Sequence, residues 1–165
     1  MSFTVRPMTK ADAAAYREIR LEALQHHPEA YAGDYESAAA YPHEHWENRL
    51  AAGRSFGAEA DGSLIGIMAY TVNDAPKLRH IATLVNVYTK PAWRGKGVAD
   101  ALIKATLQQA ATEVEQVLLG VEANNTPARA LYERHGFTVY GMEPRATKVG
   151  TTYYDLHLMV KALVK

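Results

Sequence analysis

The chain contains no cysteine. That absence excludes a disulfide framework, a thiolate nucleophile and any Cys-based zinc site. Net charge is missing too: 18 Lys plus Arg balance 18 Asp plus Glu, so no overall field draws the protein to nucleic acid or to an acidic membrane surface. No apolar run approaches the roughly 20 residues of a membrane span, and the opening stretch from Met1 to Tyr16 lacks the apolar core of a signal peptide. No low-complexity tract, internal repeat or linker is visible. The expectation is a single cytoplasmic domain over residues 1–165, whose 48% apolar side chains suffice for one real core. His43-x-His45 has the form of a metal pair, but no further ligand cluster accompanies it. No metal site is expected.

What is present centres on Leu84 to Ala99, LVNVYTKPAWRGKGVA. A β-branched and apolar run (Leu84, Val85, Val87, Tyr88, Thr89) meets a turn at Pro91, then a basic glycine loop, Arg94-Gly95-Lys96-Gly97, that opens into a helical pattern. A helix begins with about four N–H groups lacking partners, usually capped by Ser, Thr, Asp or Asn. None of the four loop residues offers a capping oxygen. The glycines let the backbone approach a ligand, and Arg94 and Lys96 add charge where the helix dipole already favours an anion. A phosphate or pyrophosphate is the natural guest. The alternative is a solvated turn with two surface cations.

Along the chain, Phe3 to Arg6 reads as a short strand stopped by Pro7, and Thr9 caps a helix that ends at His26-His27-Pro28. Residues 28–49 are the least regular region and carry Tyr31, Tyr35, Tyr41 and Trp46. Ser55 to Glu59 and Leu64 to Val72 are strands joined by Asp61-Gly62, a hairpin signal. His80 to Thr89 is apolar on both faces and so reads as a central, doubly covered strand. The helix after Gly97 stripes Ala99, Leu102, Ile103, Leu107 and Ala110 for packing on the sheet. Gln116 to Val121 is a strand, Ala128 to His135 a helix closed by Gly136, and Thr138 to Met142 and Thr151 to Val160 are the last strands.

The Leu84 to Ala99 stretch resembles motif A of the GNAT superfamily of acyl-CoA-dependent N-acetyltransferases: Arg94, Gly97 and Ala99 fit its spacing after an apolar strand. A second match, VEANNTPARALYERHGF from Val121 to Phe137, is similar to the family's other signature at Asn125, Ala128, Leu131, Tyr132, Gly136 and Phe137. The element order βααβββαβαββ is the order of that fold. The resemblance implies an α+β GNAT fold, a mostly antiparallel twisted sheet of six to seven strands flanked by about four helices, with splayed central strands binding acetyl-CoA. It implies that the backbone of Gly95, Lys96, Gly97, Val98 and Ala99, beside Arg94, holds the pyrophosphate. Val87, Tyr88 and Thr89 would pair with the pantetheine arm, Asn125 would hydrogen-bond the coenzyme, and Tyr132 would stand near its sulfur. Relatives are often dimers, and an exposed edge strand near the C-terminus would serve one.

The implied chemistry is attack of a neutral amine on the thioester carbonyl. Backbone N–H groups near Tyr88 would hold the oxyanion, and Tyr132 would protonate the leaving thiolate. A phenol near pKa 10 against a thiol near 8.5 leaves a mismatch of about 2 kcal/mol that proximity offsets. The central strand carries no carboxylate, so the base stays open among His80, Glu22, Asp155, His157 and a water chain. The acceptor is expected to be a small-molecule or peptide amine, with a tyrosine wall over residues 31–46 and 153–154 offering cation–π contact. The other reading is a catalytically silent acyl-CoA sensor. A nucleotide-binding module fits less well, lacking the Lys-Ser/Thr ending of a P-loop and a full G-x-G-x-x-G.

Overall fold

Asp61 and Gly62 both adopt positive φ, 51° and 77°, and with Ala60 opposite Ser63 they close a two-residue hairpin between β2 (Ser55–Ala60) and β3 (Ser63–Val72). The computed structural model describes residues 2–163 and builds outward from this hairpin. β1 (Thr4–Pro7) adds antiparallel to β2, and β4 (Ile81–Thr89) antiparallel to β3. β5 (Gln116–Glu122) joins β4 in parallel, and β7 (Thr152–Ala162) and β6 (Thr138–Val149) complete an antiparallel second half. The seven-stranded sheet runs β1-β2-β3-β4-β5-β7-β6. The expected mixed, mostly antiparallel architecture is present.

Two helical layers cover it. α1 (Ala13–His26) follows a single 3₁₀ turn in which the Asp12 carboxylate accepts the Thr9 N–H at 2.8 Å. The region expected to be irregular contains α2 (Tyr35–Ala39) and α3 (His43–Ala51). Its polar spelling, HEHWENRLA, hid a helix that buries only Trp46 and Leu50, one turn apart. α4 (Val98–Ala110) and α5 (Thr126–Arg134) pack on the opposite face. That makes five α-helices among the described residues, against about four expected.

Each face has its own core. Met68, Leu84, Leu102, Ile103, Val117 and Met159 pack under α4 and α5, while Tyr16, Trp46, Ile67 and Tyr88 pack under α1 to α3. Leu84 and Tyr88 lie four residues apart on one strand yet face opposite cores. A bulge explains it: Val85 opposes Ala69 and Tyr88 opposes Ile67, so β4 holds one residue more than β3, and Asn86 sits there at φ 56°. One extra residue turns every later side chain to the other face. β4 is nonetheless the central strand expected, fourth of seven, with a core on each face. Thr83 is exposed, and Ile81, Val85, Val87 and Thr89 are only half-buried.

β6 also differs from its expected end at Met142. Pro144 donates no ladder hydrogen bond and reads as a stop, yet β6 continues to Val149 through a register shift between Glu143 and Thr147, with Arg145 at φ 50°. An edge strand tolerates the lost donor. β6 is that edge. It exposes Val139, Tyr140 and Met142.

Candidate active site

The sheet opens at its centre. β4 and β5 pair only over Ile81–Thr83 and Gln116–Leu118, and both strands continue beyond, to Thr89 and Glu122. On its other side β4 remains paired, and the Lys90 N–H donates to Ile65 O at 2.9 Å. With Thr89 opposite Gly66 and Tyr88 opposite Ile67, the antiparallel alternation gives Tyr88's backbone groups to β3 and turns those of Val87 and Thr89 to the gap. By this alternation the backbone donors expected near Tyr88 are those of Val87 and Thr89. The Tyr88 side chain is also committed elsewhere: it is buried under α1, and its hydroxyl donates to the Glu22 carboxylate at 2.6 Å. Burial and that carboxylate both raise the Tyr88 phenol pKa.

The two carbonyls facing the gap are held. Tyr31's hydroxyl donates to Val87 O at 2.7 Å, and Arg94 Nε donates to Thr89 O at 3.1 Å. What is left facing the opening is a pair of N–H donors. Arg94 is thereby folded back on the strand, its Nη2 3.1 Å from His27 Nε2. Gly95 and Gly97 stand at φ 73° and 84° with open space where a side chain would be. α4 starts with no capping side chain, and the first N–H donated into it is that of Ala101, to Gly97 O at 3.0 Å. Lys96 is exposed beside these free donors, so the loop is a cationic cradle with unspent amides.

Asn125 caps α5, its side-chain oxygen accepting from Ala128 N–H at 3.3 Å. That use leaves only the amide's NH₂ for a ligand. Tyr132, one to two turns along, is 6% exposed and packs edge-on to Phe137 with ring centroids 5.9 Å apart. Burial raises its phenol pKa, with a further push from Tyr31, so it remains a neutral donor throughout the working pH range.

The base candidates separate by position. His80 precedes β4 at the closed end, its carbonyl accepting from Glu115 and Gln116 N–H, far down the strand from the gap. Glu22 lies on the α1 side, occupied by Tyr88 and 3.5 Å from Lys90 Nζ. Asp155 accepts Arg145 N–H at 2.7 Å. His157 stands opposite Val121 with its Nδ1 buried and unpartnered. Sequence reasoning missed Glu122. It is the last residue of β5, beyond the pairing with β4, on the face opposite Val121, and it is 7% exposed with its oxygens held by Asn124 N–H and Nδ2 at 2.9 and 3.0 Å. Glu122 is the second residue of the second motif, VEANN, which signals the coenzyme through Asn125 and does not mark the glutamate.

Of the expected tyrosine wall, Tyr31 is the member bonded to β4 at the gap. Burial pushes its phenol up to about 12. Tyr35 and Tyr41 are exposed. Tyr153 already carries Arg145 at 3.7 Å and Lys148 at 5.1 Å over its ring. His45 stacks on Tyr41 with centroids 3.8 Å apart. No helix among the described residues is long and apolar enough to cross a membrane.

Residues 18–137 match the family model described as Acetyltransferase (GNAT) family. Over 163 residues the chain is 25% identical to the L-amino acid N-acetyltransferase AaaT of Escherichia coli strain K12, covering 95% of this chain and 96% of that protein. It is 33% identical over 145 residues to the mycothiol acetyltransferase of Brachybacterium faecium, covering 84% of this chain but only 42% of that longer protein. The solved structure of yncA from Salmonella typhimurium with its cofactor acetyl-CoA shares the fold at a TM-score of 0.83 and 24% identity, covering 100% of this chain and 96% of that one.

Proposed function

The chain belongs to the GNAT acetyltransferase family, and from that premise we propose that it transfers the acetyl group of acetyl-CoA to a primary amine of a small molecule or peptide by direct attack in a ternary complex. The observation that carries this reading is the β4–β5 gap, where the amides of Val87 and Thr89 face an opening beside the uncapped cationic start of α4. The loop from Gly95 to Ala99, with Arg94 and Lys96, holds the pyrophosphate. The Asn125 NH₂ group donates to the coenzyme.

Attack forms the C–N bond and leaves negative charge on the carbonyl oxygen, which the gap-facing amides of β4 stabilise. Collapse breaks the C–S bond, and the Tyr132 hydroxyl gives its proton to the thiolate. Its raised pKa makes full transfer less favourable than an ordinary phenol would, so hydrogen bonding to the sulfur is the larger part of its contribution. The amine's proton leaves through Glu122, the buried carboxylate at the end of β5 where that strand has parted from β4. The relative named for L-amino acids supports an acceptor that is a small amine.

The test is calorimetric titration with acetyl-CoA, then thiol release with a panel of amines. Tyr132→Phe should bind acetyl-CoA within about threefold of wild type and lose on the order of 10²-fold in kcat, and Glu122→Gln should lose a similar factor with acetyl-CoA affinity retained. Absence of acetyl-CoA binding in the wild type overturns the assignment. Binding without amine-dependent release across the panel leaves the silent-sensor alternative standing.

A further inference from the structure

Arg20 lies on the inward face of α1, among Tyr16, Ile19, Ala23 and Leu24, and is only 6% exposed. A guanidinium buried this deeply ordinarily meets a carboxylate. Among the described residues this one does not: its Nη1 is buried without any hydrogen-bond partner, and its charge rests instead on the ring of Tyr31, 4.6 Å away. Burial also works against its charge, lowering its pKa. The side chain lines a cavity of about 110 Å³ between α1, α2 and α3. Two more lining residues carry the same defect. Trp46 Nε1 and His45 Nε2 are buried and unpartnered, and Trp46 is 1% exposed.

Three orphaned polar atoms at one cavity need a common partner. Water would satisfy the donors but not the charge. Arg20's planar fork and the donor-only indole N–H match a carboxylate's two oxygens, which accept several hydrogen bonds at once. Arg49 in the lining adds a second cation. The one lining carboxylate, Asp34, accepts the Ser37 N–H at 2.9 Å as the cap of α2. We propose that this cavity is a carboxylate-binding site anchored by Arg20 and completed by the Trp46 indole N–H. It adjoins the acetyl-transfer gap across Tyr31, since that ring stacks on Arg20 while its hydroxyl holds Val87 O. The carboxylate belongs either to the acceptor or to a separate small acid.

The chain has two tryptophans, so ¹⁵N-indole NMR reads the site in the wild-type protein, with Trp93→Phe assigning the signals. Sodium propionate should shift the Trp46 indole N–H saturably, and sodium chloride at equal ionic strength should not. Arg20→Gln, checked for its fold by circular dichroism, should weaken the apparent affinity at least tenfold. No saturable shift in the wild type overturns the proposal, whether or not the variant folds; so does a folded Arg20→Gln that binds propionate within twofold of wild type. This titration uses no acetyl-CoA, so its failure leaves the transferase reading untouched. A last arm rests on that reading and separates the sources. A tenfold fall in the ratio of kcat/KM for glycine over methylamine in Arg20→Gln assigns the carboxylate to the acceptor, and an unchanged ratio with propionate binding intact in the wild type assigns it to a separate acid.

Discussion

Asn125 meets two demands with one amide: its oxygen caps α5 by accepting Ala128 N–H, and its NH₂ is the part left for the coenzyme. Two substitutions pull these apart. Asn125→Ala removes both and should cost about 1 kcal/mol of stability as well as coenzyme affinity. Asn125→Asp keeps a capping oxygen and adds charge that the helix N-terminus favours, so the melting temperature should hold while acetyl-CoA affinity falls, since no NH₂ remains and a carboxylate faces a polyanion. Circular dichroism melting and calorimetric Kd values, measured side by side, check both. Retained affinity in Asn125→Asp would confine Asn125 to the helix cap. Tyr88 was the residue least legible in the sequence. Its place in motif A pointed to the gap, but whether its amide faces β3 or β5 depends on register, and register is a property of two strands.

At the scale of elements, the bulge in β4 shapes its wall of the gap, because it falls within the stretch that has already parted from β5 and sets which way the backbone beyond it faces. Asn86 tolerates φ 56° better than most residues, and its Nδ2 also donates to Tyr16's hydroxyl at 3.1 Å. Asn86→Gly keeps the backbone conformation and loses only the side-chain bond. Asn86→Val forces a β-branched residue into the left-handed region at a cost of about 1–3 kcal/mol. The valine variant should therefore be less stable in urea than the glycine variant, and its KM for acetyl-CoA should rise severalfold. Equal stabilities would mean that the contact to Tyr16, not backbone strain, is what Asn86 supplies. The strands, the loop and the α4 and α5 starts were legible because each is written locally in periodicity, glycine and proline. The bulge was not, since LVNVYT reads as an unbroken strand with one asparagine in it. α3 was hidden by its polar spelling and the second half of β6 by Pro144, both of them elements that tertiary context completes. Tyr31's bond to Val87 O spans 56 residues of sequence, and no local pattern announces it.

The whole molecule is two antiparallel half-sheets, β1 to β4 and β5-β7-β6, hinged on the parallel contact between Ile81–Thr83 and Gln116–Leu118. A bound acyl-CoA whose arm pairs with β4 would bridge the halves where they part. That makes a sharp prediction for hydrogen exchange, because neighbouring amides in β4 point opposite ways. In the free protein the Tyr88 amide, engaged by Ile67, should exchange slowly, whereas those of Val87 and Thr89, turned to the gap, should exchange quickly. At acetyl-CoA concentrations near 100 times Kd, the fold gains about 2.7 kcal/mol, which for a domain of this size raises the melting temperature by roughly 5–10 °C. Any ligand that binds only the native state does as much. The discriminating signal is local: Val87 and Thr89 amides should slow by well over tenfold relative to exposed loop amides such as that of Gly62, while Tyr88, already protected, follows only the global gain. Uniform slowing across β4 would mean that acetyl-CoA binds without pairing along this strand, and the donors assigned to the oxyanion would then have to be sought elsewhere.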